Sequence, residues 1–137
     1  MINLAALPPL TSYRSVTARA INIDARTALR VELEDTVATS GRPGIDYIDM
    51  PTFVVLPMAF AEGTISVDIR SRLNASAPDF TRAFAGIAYR ISEDCKRFEC
   101  VYIRPMNGLK ANPLPPRDKR AVQYFAFPAW KFDRLRD

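Results

Sequence analysis

Arg90, Tyr102 and Arg104 are the residues whose types and spacing most suggest chemistry. They fall on two neighbouring segments, 84–91 and 98–104, that read as the arms of one antiparallel hairpin joined by Ser92-Glu93-Asp94-Cys95-Lys96-Arg97. Alternation along a strand puts Phe98, Cys100, Tyr102 and Arg104 on one face, with Glu99, Val101 and Ile103 on the other. On the partner arm, Ala85, Ile87, Tyr89 and Ile91 make the more apolar face, and Phe84, Gly86, Ala88 and Arg90 the mixed one. A face that combines arginine's planar donors and a tyrosine ring with small residues suits a flat polar ligand. On spacing alone, the same residues also read as ordinary solvent-facing residues of a β-sandwich.

The chemistry left out is as informative. The chain has no histidine, which excludes Ser-His-Asp and Cys-His nucleophile systems, His-rich zinc sites and imidazole acid–base steps. Its two cysteines, Cys95 and Cys100, are too few for a zinc site and lack Cys-x-x-Cys redox spacing. Two reduced, partly buried thiols fit an intracellular protein.

The elements that must position these residues are strands. Leu29, Val31 and Leu33 alternate with Arg30, Glu32 and Glu34, and Ile65, Val67 and Ile69 with Ser66, Asp68 and Arg70, after Gly63 as a turn residue. Further strands are expected at 84–91, 98–104 and 121–127, with others at 18–24 and 52–56. Eleven prolines, mostly between these segments, argue against long helices. The 137 residues suit a single domain, 1–137, with an N-terminal arm over about 1–16 and a long loop over about 105–120. Short strands separated by turns indicate an all-β sandwich or barrel.

Charge and hydropathy exclude other classes. Hydrophobic residues make up 48% and charged residues 25%, as in soluble globular chains rather than disordered ones. No apolar run approaches the roughly 18 residues of a membrane helix. Residues 1–103 hold 11 basic and 12 acidic residues, whereas 104–137 hold 8 and 3, so the net charge of +4 resides in the last quarter. There the basic residues are spread over a loop and a tail rather than clustered on one face, so a solvated rim is expected and no nucleic-acid partner. MINLAALPPLTSYR has no basic residue before Arg14 and lacks the pattern of a secretory leader, giving a cytoplasmic reading, or a mature form whose leader was replaced by Met1.

Four blocks, in order, carry a family resemblance: Gly63-Thr64-Ile65-Ser66-Val67-Asp68-Ile69, then Phe84 to Arg90, then Phe98 to Gly108, then Ala121-Val122-Gln123-Tyr124. Together they resemble bacterial domains of the concanavalin A-like lectin/glucanase superfamily, in the group related to keto-disaccharide hydrolase-like domains. That resemblance implies an antiparallel jelly-roll β-sandwich whose concave sheet and rim loops hold a carbohydrate. Arg104, Asn107 and Gln123 map onto motif positions, with Glu99 and Tyr102 beside them; Trp130, the single tryptophan, is either a stacking platform or a structural residue of the tail. Phe98 stands where relatives carry tyrosine, and relatives continue beyond the Trp130–Arg136 region. The sandwich is therefore expected to be short or incomplete at its C-terminal side, with sheet edges open to homo-oligomer formation.

Glycoside hydrolysis ordinarily needs two carboxyl groups. The glucanase string Glu-x-Asp-x-x-Glu is absent, and Asp68 and Glu99 are the only strand carboxylates in the matching region, each also a natural partner for Arg70, Arg90 or Arg104. Asp35, Asp46 and Asp49 share one loop, but calcium takes about six to eight oxygens, and no metal or other cofactor is expected. The resulting expectation is a carbohydrate-binding or carbohydrate-processing domain, binding ahead of hydrolysis, with a sugar-free protein-interaction module as the alternative.

Overall fold

The computed structural model describes residues 2–75 and 77–135 and is built of short antiparallel strands with almost no helix. It groups into two compact units, Met1–Glu62 and Gly63–Asp137.

In the first unit, β1 (Ser12–Arg14) pairs antiparallel with β4 (Phe53–Val55), and β2 (Val16–Ile23) pairs with β3 (Arg26–Leu33) from Val16 opposite Leu33 to Ile23 opposite Arg26. Asp24 and Ala25 make the turn of that hairpin, both at positive φ, 49° and 61°. Two consecutive left-handed residues give the turn the twist that two-residue hairpins require, and aspartate tolerates that region well. A six-residue helix, α1 (Asp35–Ser40), follows β3 and was not expected from the sequence. Asp35 sits in its first turn, and the Gly41 N–H closes its end on the Val37 carbonyl.

The second unit holds a three-stranded antiparallel meander, β5 (Ala85–Tyr89), β6 (Phe98–Ile103) and β7 (Val122–Phe127), in that order. The β5–β6 turn folds on its own polar residues. The Asp94 carboxylate accepts the Ser92 hydroxyl at 2.7 Å and the Lys96 N–H at 3.0 Å, while the Arg97 N–H donates to Ser92 Oγ at 2.9 Å. The segment 105–120 connects β6 to β7 and is shaped by three 3₁₀ turns at Pro105–Asn107, Leu109–Ala111 and Arg117–Lys119. Its ends are drawn together by the Arg104 N–H, which donates to the Ala121 carbonyl at 2.8 Å.

One face of the meander is a core of aromatic rings. Phe98, Tyr102, Phe125 and Phe132 are buried. Phe98 stacks on Phe127 at 5.2 Å between centroids and meets Phe125 edge-on at 5.5 Å, and Tyr102 meets Phe125 and Phe84 edge-on. Edge-to-face pairs add about 0.5–1.5 kcal/mol beyond the area they bury. The expected strand over 65–69 carries no ladder in the structure, and Ile65, Val67 and Ile69 are exposed.

Candidate functional site

The face expected to receive a flat ligand is the inward one. Tyr102 and Arg104 lie on it as alternation requires, but they are 8% and 7% exposed and belong to the aromatic core. The Arg104 guanidinium lies 4.4 Å from the Phe132 ring centroid and 5.5 Å from that of Phe84, and donates to Gln123 Oε1 at 3.4 Å. Guanidinium is weakly hydrated and flat, so it can lie between rings at low desolvation cost. Asn107 is 2% exposed and donates its side-chain amide to the Arg120 carbonyl at 3.1 Å, fastening the 105–120 loop. Arg104 thus meets Gln123 in a packed setting rather than on an open platform, and the Asn107 side chain is engaged with the loop backbone. Trp130 is exposed, yet the Arg134 guanidinium covers its ring at 3.9 Å from the centroid, taking one stacking face.

The opposite face is open, and Glu99 is its polar centre. Glu99 stands directly across from Tyr89 on β5, while Tyr124 on β7 stands across from Val101, two residues along β6 and on the same face. Arg90 donates to Glu99 Oε1 at 2.9 Å and the Tyr124 hydroxyl donates to Glu99 Oε2 at 2.9 Å. Tyr89, directly across the ladder, lies near enough to the same carboxylate to help hold its pKa down. Around this cluster lie the exposed Val101 and Val122 and the half-buried Ile87 and Ile103.

Arg90 reaches this face because its backbone leaves the strand. Its φ is +51°, in the left-handed region, which breaks the alternation that would have pointed it inward. Of the residues singled out in the sequence, Arg90, expected to bind a ligand, and Glu99, a candidate carboxylate for hydrolysis, are therefore here. Tyr89 and Tyr124 are additional members, and the signal that could have found them was cross-strand register, because both hydroxyls need Glu99 within reach. Asp68 is exposed in the segment after Gly63.

Electrostatics bind the cluster into one unit. Hydrogen bonds from Arg90 and then Tyr124 hold the Glu99 carboxyl below the ordinary carboxylate range. Its bond to Tyr124 pushes that phenol up, and partial burial followed by the Glu99 charge pushes up Tyr89. A carboxylate whose folded pKa is depressed adds stability above its unfolded value and loses it as pH falls through the folded value. The thermal midpoint is accordingly expected to drop as pH falls below about 4, and Glu99→Gln to flatten that slope. In the same variant, tyrosinate absorbance should rise at lower pH than in the wild type, since the charge opposing phenol ionisation is gone.

Elsewhere, a cleft of about 370 Å³ in the first unit is lined by Ser15, Thr36, Val37, Ser40 and Asp46, among others. Asp46 there already accepts the Arg42 N–H at 2.7 Å. Cys95, buried, and Cys100, half-buried, are not joined in a disulfide. Among the described residues no cluster of three or more acidic, cysteine or histidine side chains is arranged to hold a metal ion, and no helix is long and apolar enough to cross a membrane.

Comparisons with known proteins add no relative: no family model, curated protein or solved structure matches the chain.

Proposed function

We propose that the chain is a carbohydrate-binding domain whose contact surface is the open face of β5, β6 and β7 centred on Glu99. The observation that carries this reading is the Tyr89–Arg90–Glu99–Tyr124 cluster on an exposed, otherwise aliphatic sheet face. A pyranose ring offers alternating hydroxyls at its rim and C–H groups on its faces. Two tyrosine rings and neighbouring valines suit the C–H face, while the ionised carboxylate and the 74%-exposed Arg90 side chain supply an acceptor and donors for the hydroxyls.

The four motif blocks shared with concanavalin A-like domains support the same reading, and with it a jelly-roll arrangement in which the meander is part of one sheet. Binding without hydrolysis is the favoured form. Glu99 is held as the anion, which suits a hydrogen-bond acceptor and not a general acid, which must start protonated.

A thermal-shift screen against mono- and oligosaccharides tests the proposal. One sugar class should raise the midpoint, with about 2.7 kcal/mol of stabilisation at a hundredfold excess over Kd. Tyr124→Ala should abolish the shift, whereas Trp130→Ala should retain it. No shift with any sugar from a cooperatively melting protein would overturn the reading.

A second reading draws on Val101 and Val122, which are 42% and 64% exposed on the same face. Apolar side chains there would equally suit a protein partner. Light scattering separates the two, because an interaction face between copies raises the mass with concentration and a sugar site does not.

A further inference from the structure

A second cleft lies within the unit Gly63–Asp137, where the 105–120 connection passes the residues just before β5. It encloses about 230 Å³ and is lined by Arg82 and Arg117 together with Met106, Ala111, Pro113 and Leu114. Its apolar side chains stand open to water, with Leu114 72% and Met106 43% exposed. Neither arginine has a carboxylate partner among the described residues, although Asp79 and Asp118 are close to them in sequence.

Arg82 is already aimed. Its Nη1 donates to the Asp79 carbonyl at 2.7 Å and to the Thr81 carbonyl at 2.6 Å. A guanidinium carries five N–H donors, so these bonds occupy one nitrogen and leave the donors of Nε and Nη2 for another acceptor. Nε and Nη2 share one edge of the planar group, and that edge matches two oxygens of a carboxylate or phosphate.

The wall facing Arg82 is held by short-range backbone bonds. The Met106 N–H donates to the Arg82 carbonyl at 3.4 Å, which ties the connection to the segment before β5. The Asn112 N–H donates to the Leu109 carbonyl and the Arg117 N–H to the Leu114 carbonyl, each at 3.0 Å. Connections this long are uncommon in compact domains unless they serve a function or are disordered, and this one is folded on its own turns.

We propose that this cleft binds a small organic oxyanion, a carboxylate or phosphate that carries a short apolar group. The oxyanion takes the Nε–Nη2 edge of Arg82 with Arg117 as the second cation, and the apolar group covers Met106, Pro113 and Leu114. No acidic residue is among those lining the cleft, so the two cations are not offset there. The volume falls below the roughly 300–1,000 Å³ of pockets that take drug-sized ligands, which limits the ligand to a few carbons beyond its charged head. The site shares no residue with the Glu99 cluster and stands or falls separately from the carbohydrate reading.

Titration of the ¹⁵N-labelled full chain with hexanoate and with butyl phosphate tests the proposal and distinguishes the two heads. At least one of them should shift the amides of Arg82, Met106, Ala111 and Arg117. Its counterpart without the chain, acetate or inorganic phosphate, should bind about tenfold or more weakly, because the added methylenes leave water. Hexanol, which has the chain without the charge, should also bind about tenfold or more weakly. Arg82→Lys keeps the charge and loses the flat fork, and Arg117→Gln loses the second cation. Each should weaken binding about tenfold while the β6 amides keep their wild-type positions. No shift with either amphiphile would overturn the proposal. So would hexanol binding as tightly as the anions, chain length having no effect, or wild-type affinity in both variants.

Discussion

Phe98→Ala is expected to destabilise the second unit by about 3–5 kcal/mol, the range for removing a large buried aromatic. Phe98 is 3% exposed and touches both Phe125 and Phe127, so it joins the two strands that flank the longest connection in the unit. Truncation removes the stacked contact and an edge-on contact together and leaves a cavity between β6 and β7. A domain's whole stability is about 5–15 kcal/mol, so the loss is a large fraction of it. Urea unfolding followed by tyrosine and tryptophan fluorescence measures it through the midpoint. Phe98→Tyr keeps the ring and is expected to lose far less, its cost being that of placing the hydroxyl.

Gly86→Val is expected to be at least as damaging, for a different reason. A Cβ at this position overlaps the Val101 carbonyl oxygen and the Tyr102 Cα and Cβ on the neighbouring strand. Those atoms are backbone or fixed to it, so they yield only if β5 and β6 separate. Overpacking typically costs about 1–3 kcal/mol where side chains can give way, and a backbone obstacle places this substitution at or above that upper end. Gly86→Ala already adds the offending atom, so most of the loss should appear there, with a smaller further step to valine. Paired thermal melts of the two variants check this. Equal stability of Gly86→Ala and wild type would contradict the close approach of β5 to Tyr102.

The residues that alternate most plainly were legible as strands: β5, β6 and β7 fall within the segments expected of them, while β2 and β3 overlap theirs but begin two and three residues earlier, and the proline-containing 105–120 segment lies between β6 and β7. The division of β6 into two faces was legible too, because a period of two follows from the pleat alone. Which face is inward was not. Tyr102 and Arg104 look like surface residues by type, and only the surrounding Phe84, Phe98, Phe125 and Phe132 make them core, through contacts distant in sequence. Arg90 illustrates a second limit, since one left-handed backbone angle turned its side chain to the other face. The α1 helix spans too few residues to show a helical period. The segment 65–69 shows the converse: a complete strand pattern does not by itself fix a partner, because pairing depends on an edge elsewhere in the chain.

Contact of a carbohydrate with the open sheet face around Glu99 is to be read at the residues themselves. The most direct measurement is a titration of the ¹⁵N-labelled protein with whichever saccharide stabilises it, following backbone amide shifts residue by residue. Shifts are expected to concentrate at Tyr89, Arg90, Glu99, Val101 and Tyr124, with Arg104 and Asn107 unmoved in the core. Shifts confined to Arg104, Asn107, Gln123 and the 105–120 loop, with Glu99 and Tyr124 unchanged, would contradict it.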